Sequence, residues 1–321
     1  MSLQIIVNEN ILNKLREELL NRSSIERLPD SVWKRAGALN TWGTNAIEGN
    51  TLTWKEVEKI LIEQRSVSNA PLPDVLETIK HEAAFHGLIR RVSASIRLTA
   101  VLELHEEVFR GVLADAGQWR RVNVRITGSR HTPPRMEKVL IKMEEWIEEY
   151  SNRDMIGEPV FPLAAWMHHS FEGIHPFSNG NGRIGRLLLN LHFLKHNWPP
   201  IHIFQSDREV YMNCLEEGHS GNLSRLIEFL RVSMGKSLLD LLDQVGTEDD
   251  ELKPLKHFGS KGPYSAKYLT LRAGKEQLPA IKVKGEWQTS SRALRLYRIF
   301  VGEKQEAPSS TIESTLVPPL K

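Results

Sequence analysis

Residues 175–186 hold the side chains and the backbone best suited to chemistry on a phosphate. The segment reads His-Pro-Phe-Ser-Asn-Gly-Asn-Gly-Arg-Ile-Gly-Arg. His175 is a candidate general base, because its ordinary pKa of about 6.5 allows it to take a proton near pH 7. Arg183 and Arg186 are i,i+3 neighbours on a predicted helix and can neutralise an anion. The segment therefore predicts a site for phosphoryl or nucleotidyl transfer.

The elements around this segment must place it at the end of one helix and the start of another. Apolar residues in 161–174 have helical spacing, and His175-Pro176 then ends that helix. The three glycines of the segment let the chain bend so that several N–H groups face one anion, and the helix that follows adds its positive end. The sequence thus predicts a phosphate cradle between two helices.

Two other interpretations of the glycines are disfavoured. Gly180, Gly182 and Gly185 also fit the dinucleotide-binding pattern G-x-G-x-x-G, with Asp207 at the distance of a ribose-binding acid. That interpretation requires a buried strand directly before Gly180, whereas residues 161–174 have helical spacing. A structural loop whose histidine merely caps a helix is the other alternative, and the full set of residues favours catalysis over it.

The twelve-residue pattern resembles the signature of the Fic (filamentation-induced-by-cAMP) family, H-P-F-x-D/E-G-N-G-R-x-x-R. The resemblance implies a helical fold that transfers AMP from ATP to a Ser, Thr or Tyr hydroxyl of a protein. His175 would then be the catalytic base, and Phe177 would pack into the core and fix the loop. The resemblance also implies a set of ATP-binding residues in and after the segment: Asn179, Gly180, Asn181, Gly182, Arg183, Ile184, Gly185, Arg186, Tyr211 and His219.

One position departs from the signature. Asn179 stands where the family has Asp or Glu, whose carboxylate would hold Mg²⁺. An amide offers one neutral oxygen, whereas Mg²⁺ prefers carboxylates together with phosphate oxygens and water. We expect ATP and Mg²⁺ as cofactors, with Asn179 as a weakened metal ligand. The alternative is a slow enzyme, another donor, or a different reaction at the same site.

A second segment also resembles the family. Residues 44–50, Thr-Asn-Ala-Ile-Glu-Gly-Asn, are similar to the inhibitory motif S/T-x-x-x-E-G/N of autoinhibited Fic proteins. The resemblance implies an inhibitory helix at about residues 38–50, N-terminal to the core, in which Glu48 pairs with Arg186. A carboxylate in that guanidinium fork removes the fork from ATP. An ordinary i,i+4 pair of Thr44 and Glu48 on a solvated helix is the alternative.

A third segment predicts a β-hairpin. Residues 122–126 alternate apolar and polar side chains, and residues 127–130 are typical of a turn. The arrangement resembles the flap on which Fic proteins hold a target segment by strand addition. We therefore expect a protein substrate with a hydroxyl side chain to dock on residues 122–131. Four residues at the tip of the hairpin would come close to ATP: Gly128, Ser129, Arg130 and His131.

The charge balance changes near the C-terminus. Residues 246–254 are acidic and end in proline, which is typical of a linker. Residues 256–300 carry ten Lys or Arg and two Glu, a net charge of +8, whereas the whole chain carries +2. This part resembles an excisionase or MerR-like winged helix-turn-helix, with a basic helix at 291–300, and predicts DNA binding through residues 255–302. An appendage that recruits proteins or dimerises is the alternative.

The whole sequence predicts a mainly α protein: a Fic-type helical core with a β-hairpin flap, and a small C-terminal winged-helix-like α/β domain. Composition favours a cytoplasmic location, since Cys214 is the only cysteine and neither a signal peptide nor a long apolar run is present. No membrane partner is expected, and a homo-oligomer remains open. The predicted parts are an N-terminal helical region at 1–95, the catalytic core at 96–245, the linker at 246–254, the winged-helix-like domain at 255–302 and a disordered tail at 303–321.

Three functions agree with these features. The leading hypothesis is a protein adenylyltransferase that is autoinhibited by Glu48. The second is a DNA-binding regulator whose Fic core senses nucleotide and catalyses weakly. The third keeps the fold and changes the reaction, either to removal of AMP from a modified protein or to transfer of another phosphate-linked group.

Overall fold

The computed structural model describes residues 8–260 and 262–301 and is mainly helical. Thirteen α-helices lie within this part of the chain. In chain order they are α1 (Glu9–Arg22), α2 (Asp30–Ile47), α3 (Trp54–Leu61), α4 (Leu72–Gly87), α5 (Leu98–Phe109), α6 (Val139–Met155), α7 (Val160–Ile174), α8 (Asn181–Lys195), α9 (Arg208–Gly218), α10 (Ser224–Val245), α11 (Leu255–Gly259), α12 (Ala266–Gly274) and α13 (Ser291–Phe300).

Helices α7 and α8 form the centre of the molecule. They pack against each other, and α6 and α10 pack against α7. Almost every residue of α8 between 183 and 194 is buried, including Leu187 and Leu188 at 0% exposure. A helix that is apolar on most sides is stable only when neighbours cover it on most sides. The loop between α7 and α8 therefore sits on a rigid base.

The predicted inhibitory helix is the C-terminal half of α2. The helix begins earlier than predicted, after Pro29 at its N-cap, and it ends with Glu48 as its C-cap. Gly49 follows with φ +95°, which suits glycine and stops the helix. Gly43 lets α2 approach the chain at Ile203, since a Cβ there would lie 2.5 Å from the Ile203 carbonyl oxygen. Helix α2 thus packs closely against the core and presents Glu48 at its end.

The predicted β-hairpin at 122–131 is wrong for the described structure. Within the described residues, the only backbone hydrogen bond that joins 122–126 to 129–134 runs from Ser129 N–H to Ile126 O and closes a turn. Arg120 donates instead to the carbonyls of Val122 and Pro134, and two consecutive prolines in the returning segment have no N–H to donate. The segment has a turn at its tip and lacks strand pairing within the described residues.

The C-terminal part contains the one sheet among the described residues. Its strands are β1 (Lys253–Pro254), β2 (Ile281–Val283) and β3 (Glu286–Thr289), all antiparallel in the order β1-β3-β2. Lys284 and Gly285 both have positive φ and make the two-residue turn between β2 and β3. The element order is thus α11, α12, a β-hairpin and α13. The predicted two-strand turn and the predicted helix at 291–300 are confirmed.

The segment predicted as a linker, 246–254, packs against the C-terminal part. Asp250 is fully buried, and Arg292 Nε of α13 donates to its carboxylate at 2.6 Å. Arg292 also lies 3.1 Å from Glu18 of α1, while β1 pairs with β3. Asp249 and Asp250 of this segment are therefore partners for the basic helix α13. The predicted tail at 303–321 lies outside the described residues.

None of the helices in the described part of the chain is long and apolar enough to cross a lipid bilayer.

Candidate active site

His175 lies in the loop between α7 and α8 with its backbone held in an uncommon conformation. Its φ of 51° and ψ of 60° are left-handed, and its carbonyl accepts a hydrogen bond from Arg120 Nε at 2.9 Å. Its Nδ1 lies 3.2 Å from the carbonyl oxygen of Glu172. Since a carbonyl can only accept, Nδ1 carries the proton and Nε2 of the neutral ring has the free lone pair. Nε2 is therefore the atom of His175 that can accept a proton.

The environment keeps this imidazole neutral. Burial lowers the pKa of His175 below its ordinary value, with Arg120 acting in the same direction. A neutral imidazole can accept a proton from a hydroxyl, whereas an imidazolium cannot. His175 is therefore in its basic form at neutral pH.

Side chains from the loop itself hold the loop closed. The amide of Asn181 makes two hydrogen bonds to the backbone of Phe177, accepting from its N–H at 2.8 Å and donating to its carbonyl at 2.9 Å. Phe177 is fully buried, as predicted. Because the side-chain amide of Asn181 is hydrogen-bonded to Phe177 through both its oxygen and its nitrogen, only the backbone N–H of Asn181 remains available to a phosphate.

A histidine on α5 holds the loop from the other side. The ring of His105 stacks on Phe177 with centroids 3.8 Å apart. The N–H of Gly117 donates to Nδ1 of His105 at 2.8 Å, so Nε2 carries the proton and donates to the carbonyl of Asn179 at 3.1 Å. Burial lowers the pKa of His105 to about 4, which keeps it neutral. His105 thus fixes the backbone of the loop from a distant helix.

The loop turns into α8 at a glycine that no other residue can replace. Gly180 has φ +83°, and a Cβ there would lie 2.3 Å from the ring of Phe109. The first N–H groups of α8 follow directly, where an α-helix has unpaired donors and a partial positive charge. This arrangement agrees with the predicted phosphate cradle.

Arg186 is buried and is held by α2. Its Nη2 donates to Glu48 Oε1 at 2.6 Å, and its Nε donates to Thr44 Oγ1 at 2.5 Å. A Cβ at Gly182 would lie 2.3 Å from the same Glu48 oxygen, so this glycine makes room for the carboxylate. The predicted pair of Glu48 and Arg186 is thus present in the structure.

The charges of this pair stabilise each other against burial. Burial opposes the charge of Arg186, but Glu48, together with Tyr211 and Glu172, raises the pKa of the guanidinium. Burial likewise opposes ionisation of Glu48, but Arg186 holds the pKa of this carboxyl below its usual range. Both groups are therefore charged at neutral pH.

Arg183, the other arginine of the segment, is also paired with a carboxylate. Its Nη1 lies 2.6 Å from Glu77 Oε2 of α4. Its guanidinium carbon lies 4.5 Å from the ring centroid of Phe109, and its Nη2 donates to Asn179 Oδ1 at 3.4 Å. Both guanidinium groups of the segment are thus engaged by acidic residues from the N-terminal helices.

A buried carboxyl group lies one helical turn before His175. Oε1 of Glu172 is shielded from solvent and has no hydrogen-bond partner among the described residues. A Cβ at Gly185 would lie 2.3 Å from this oxygen. Burial raises the pKa of Glu172 to about 8, although Arg186 opposes the shift. Glu172 is therefore a neutral acid at pH 7, next to the charged pair of Arg186 and Glu48.

The loop provides little for a metal ion. Asn179 is exposed and brings one amide oxygen, which already accepts from Arg183. Within the described ranges, no three His, Cys, Asp or Glu side chains are grouped so that they could hold a metal ion. A Mg²⁺ ion bridging ATP phosphates needs few protein ligands. The residues therefore fit a metal that enters with its nucleotide.

Residues at the tip of the 122–131 segment, which are predicted to bind the nucleotide, contact the C-terminal end of α9. Ser129 Oγ and the N–H of Arg130 both donate to the carboxylate of Glu216, at 2.5 and 3.1 Å. The rings of His131 and His219 stack with centroids 4.1 Å apart, and His131 Nε2 lies 2.9 Å from the carbonyl of Gly173 on α7. The structure thus brings residues 129–131 and His219 together beside the helix that leads into His175. Gly128, with φ +82°, forms the turn.

Three predicted ATP contacts lie on the inner side of the structure. Tyr211 and Ile184 have 0% exposure, and Gly185 faces Glu172. The hydroxyl of Tyr211 is 2.6 Å from Nε2 of His168, and its ring centroid lies 6.0 Å from the guanidinium of Arg186. The structure places these residues behind the arginines, so a direct contact of the Tyr211 or Ile184 side chain with ATP has no support.

Three residues that shape the site were not predicted from the sequence. Glu77, His105 and Glu172 come from three different helices, and each touches the segment through one side chain. Only Glu172 could have been identified from the sequence. It lies three residues before His175, about one helical turn away, in the last turn of α7.

Comparison with known proteins agrees with the site and the fold. Residues 95–193 match the model of the Fic/DOC family. The protein named "Protein adenylyltransferase Fic" of Aedes aegypti is 28% identical over 226 residues, which cover 68% of this chain and 44% of the mosquito protein. A relative of the same name from Nematostella vectensis is 29% identical over 204 residues, 61% of this chain and 47% of that protein. The chain thus spans about half the length of these curated relatives.

A solved structure shares the architecture. A Fic domain containing signaling protein from Bacteroides thetaiotaomicron has a TM-score of 0.66 at 22% identity, over 72% of this chain and 97% of that chain. At this identity the likeness concerns the fold alone. The family match and the shared fold together place a Fic/DOC domain in this chain, and the predicted Fic-type helical core is confirmed.

Proposed function

We propose that this protein is a protein adenylyltransferase, a nucleotidyltransferase that moves AMP from ATP to a hydroxyl side chain of a protein. The observation that carries the proposal is the loop at 175–186, where a base with a free Nε2 lies beside the N-terminus of α8 and two buried arginines. The names of the curated relatives support the same reaction class.

The reaction assigns one role to each part of the loop. Nε2 of His175 takes the proton of the target hydroxyl, and the resulting oxygen attacks the α-phosphorus of ATP. A bond forms between that oxygen and the α-phosphorus, the bond to the β-phosphate oxygen breaks, and pyrophosphate leaves. The N–H groups at the start of α8, with Arg183 and Arg186, stabilise the charge on the phosphates. A Mg²⁺ ion bound to ATP would supply further neutralising charge, and Asn179 is the loop residue that would help to hold it.

In this proposal the described state is inhibited. A phosphate and a carboxylate compete for the same guanidinium, because both bind its paired N–H groups. With Glu48 Oε1 at 2.6 Å from Arg186 Nη2, the γ-phosphate of ATP cannot take that position. Withdrawal of Glu48 frees the guanidinium.

The protein target would add a strand to the 122–131 segment. Residues 123–126 make no strand ladder of their own within the described structure. Free backbone N–H and C=O groups of an extended segment recognise another backbone with little regard to its sequence. A target held there would present its hydroxyl next to His175.

Incubation of the Glu48→Gly variant with ATP, followed by intact-mass measurement, tests the proposal. We expect an AMP adduct on the protein itself or on an added target, and no adduct with the further substitution His175→Ala. Release of AMP from an AMPylated protein, dependent on Glu48, would instead support the reverse reaction. Absence of both activities would contradict an adenylyltransferase.

We propose DNA binding by the C-terminal part as a second activity. The element order α11, α12, β2, β3 and α13 matches a helix pair followed by a wing, and Lys267, Lys275 and Lys284 are exposed. The predicted role of α13 needs revision, because two of its arginines are paired, Arg292 with Asp250 and Arg295 with Asp249. Helix α12, which has no such acidic partners among the described residues, is the better candidate for a DNA groove.

Binding of the full chain to random-sequence duplex DNA, measured as a function of salt, tests this second activity. We expect that Lys267→Ala together with Lys275→Ala weakens binding and reduces its salt dependence. Equal binding by the Arg295→Ala variant serves as the control. No salt-dependent binding would contradict the proposal.

A further inference from the structure

The two arginines of the segment are each held by a carboxylate, and only one of these was foreseen. Arg186 pairs with Glu48 at the end of α2, and Arg183 pairs with Glu77 of α4, both at 2.6 Å. The side chain of Arg183 is 5% exposed and that of Glu77 is 17% exposed. The distance between guanidinium nitrogen and carboxylate oxygen is therefore the same in both pairs, and both pairs are largely buried.

Glu77 is the only carboxylate within ion-pair distance of Arg183 in the described part of the chain. Nε of Arg183 is buried without a hydrogen-bond partner, and the flat face of its guanidinium lies over Phe109. Burial lowers the pKa of Arg183, while Glu77 acts in the opposite direction. Glu77 is thus the carboxylate paired with this buried guanidinium, and a phosphate that bound the same N–H groups would have to replace it.

The helices that carry the two carboxylates are joined to each other. Along α2 and α4, Thr41 Oγ1 lies 3.0 Å from Nδ1 of His81, and Asn45 Nδ2 donates to Thr78 Oγ1 at 3.4 Å. Just after Glu48, the N–H of Thr51 donates to the carboxylate of Asp74 at 2.9 Å. A row of hydrogen bonds therefore connects the end of α2, where Glu48 lies, to the first turns of α4, where Glu77 lies.

We propose that Glu77 is a second inhibitory carboxylate, which occupies Arg183 as Glu48 occupies Arg186. The two carboxylates belong to one joined pair of helices and leave the nucleotide site together. This inference rests on the proposed function for its meaning, since it concerns how ATP reaches the same loop. It adds that removal of Glu48 alone frees only Arg186 and leaves Arg183 paired with Glu77.

Equilibrium binding of ATP, measured by calorimetry on the full chain, tests the inference. We expect Glu77→Gln to tighten ATP binding about fivefold or more in the Glu48→Gly background, because coupling of this kind is typically worth that much. Glu82→Gln is the matched control, since Glu82 lies on the same helix but pairs with His86 at 2.9 Å. The control is expected to leave the affinity unchanged.

The opposite results overturn the inference. Weaker ATP binding by Glu77→Gln would show that Glu77 positions Arg183 for the phosphates, and unchanged binding would show that the pair does not compete with ATP. Glu77→Asp, whose shorter side chain retains the charge, is the second variant and is also expected to tighten binding. If Glu48→Gly binds ATP but forms no AMP adduct, the proposed function fails while the role of Glu77 is still decided by affinity.

Discussion

The loop at 175–186 and the segment at 122–131 lie on the same side of the domain and are built in opposite ways. The loop is closed by its own side chains, with Asn181 clamped to Phe177 and His105 stacked beneath. The segment is fixed at its tip by Glu216, and its residues 122–131 belong to no strand ladder within the described structure. The loop is held in place without a ligand, whereas the segment has backbone groups with which a target could form further hydrogen bonds.

This difference agrees with a division of labour between chemistry and recognition. Stabilising charge on a phosphate requires donors that are already in place, since their reorganisation would cost part of the gain. Recognising a protein by strand addition requires unpaired backbone groups, which a segment outside any strand ladder can offer. Substitutions in the two regions should therefore differ in kind: those in the loop should affect chemistry and stability, and those in the segment should affect recognition of the target.

The largest effect is expected from loss of the base. In the Glu48→Gly background, His175→Ala should reduce AMP transfer by about 10²–10⁴-fold, the usual contribution of a general base. ATP affinity should change little, because Nε2 of His175 faces the hydroxyl in the proposed reaction. Initial rates and calorimetry on the same samples measure both quantities. A variant that retains full transfer would remove His175 from the chemistry.

The next effect tests whether the loop is held by its own side chains. Asn181→Ala leaves the buried N–H of Phe177 without its acceptor, which should lower the free energy of unfolding by about 1–3 kcal/mol. Asn179→Ala is the matched control, since this exposed amide in the same loop should cost no more than about 0.5 kcal/mol. Urea denaturation measures both variants. Equal losses would contradict the clamp.

The pH dependence of AMP transfer tests whether His175 in the loop is a buried, neutral base. Burial lowers the pKa of His175, so the basic form persists to more acidic pH than in a free histidine. Transfer should therefore be constant around pH 7 and fall about tenfold per pH unit only below the ordinary histidine pKa of about 6.5. A profile of initial rates between pH 5 and 8 locates the midpoint. A midpoint above about 6.5 would contradict a buried, neutral base.

The smallest effect is expected in the 122–131 segment. Glu216→Gln weakens the attachment of Ser129 and Arg130 but leaves the loop untouched. Hydrogen exchange at the Arg130 amide should become faster, while the melting temperature and ATP affinity remain as in the parent. Transfer to a protein target should fall more than hydrolysis of ATP. Loss of ATP affinity would show that the two regions are not separate.

Much of the site could be predicted because its residues are consecutive. Twelve adjacent positions contain the base, the clamp and both arginines, and helical spacing on either side defines α7 and α8. Glu48 was also found, since it forms part of a short pattern of its own. Glu77 and His105 were not found, because each meets the loop only after distant helices pack together.

The two places where the structure differs show what a local pattern leaves out. Alternation at 122–126 is typical of a strand, but a hairpin also needs a partner with free N–H groups. Pro133 and Pro134 lack them, and Arg120 occupies carbonyls on both sides. Likewise the acidic composition of 246–254 is typical of a linker, yet Asp250 is buried because Arg292 arrives as its counter-ion.

The most direct test of the account compares two forms of labelled ATP with the Glu48→Gly protein. One carries the label on the α-phosphate and the other on the γ-phosphate. Transfer of AMP predicts that label from the α-position enters protein, that label from the γ-position does not, and that His175→Ala abolishes incorporation. Incorporation from the γ-position, or equal incorporation without His175, would contradict the central claim that the loop transfers AMP with His175 as its base.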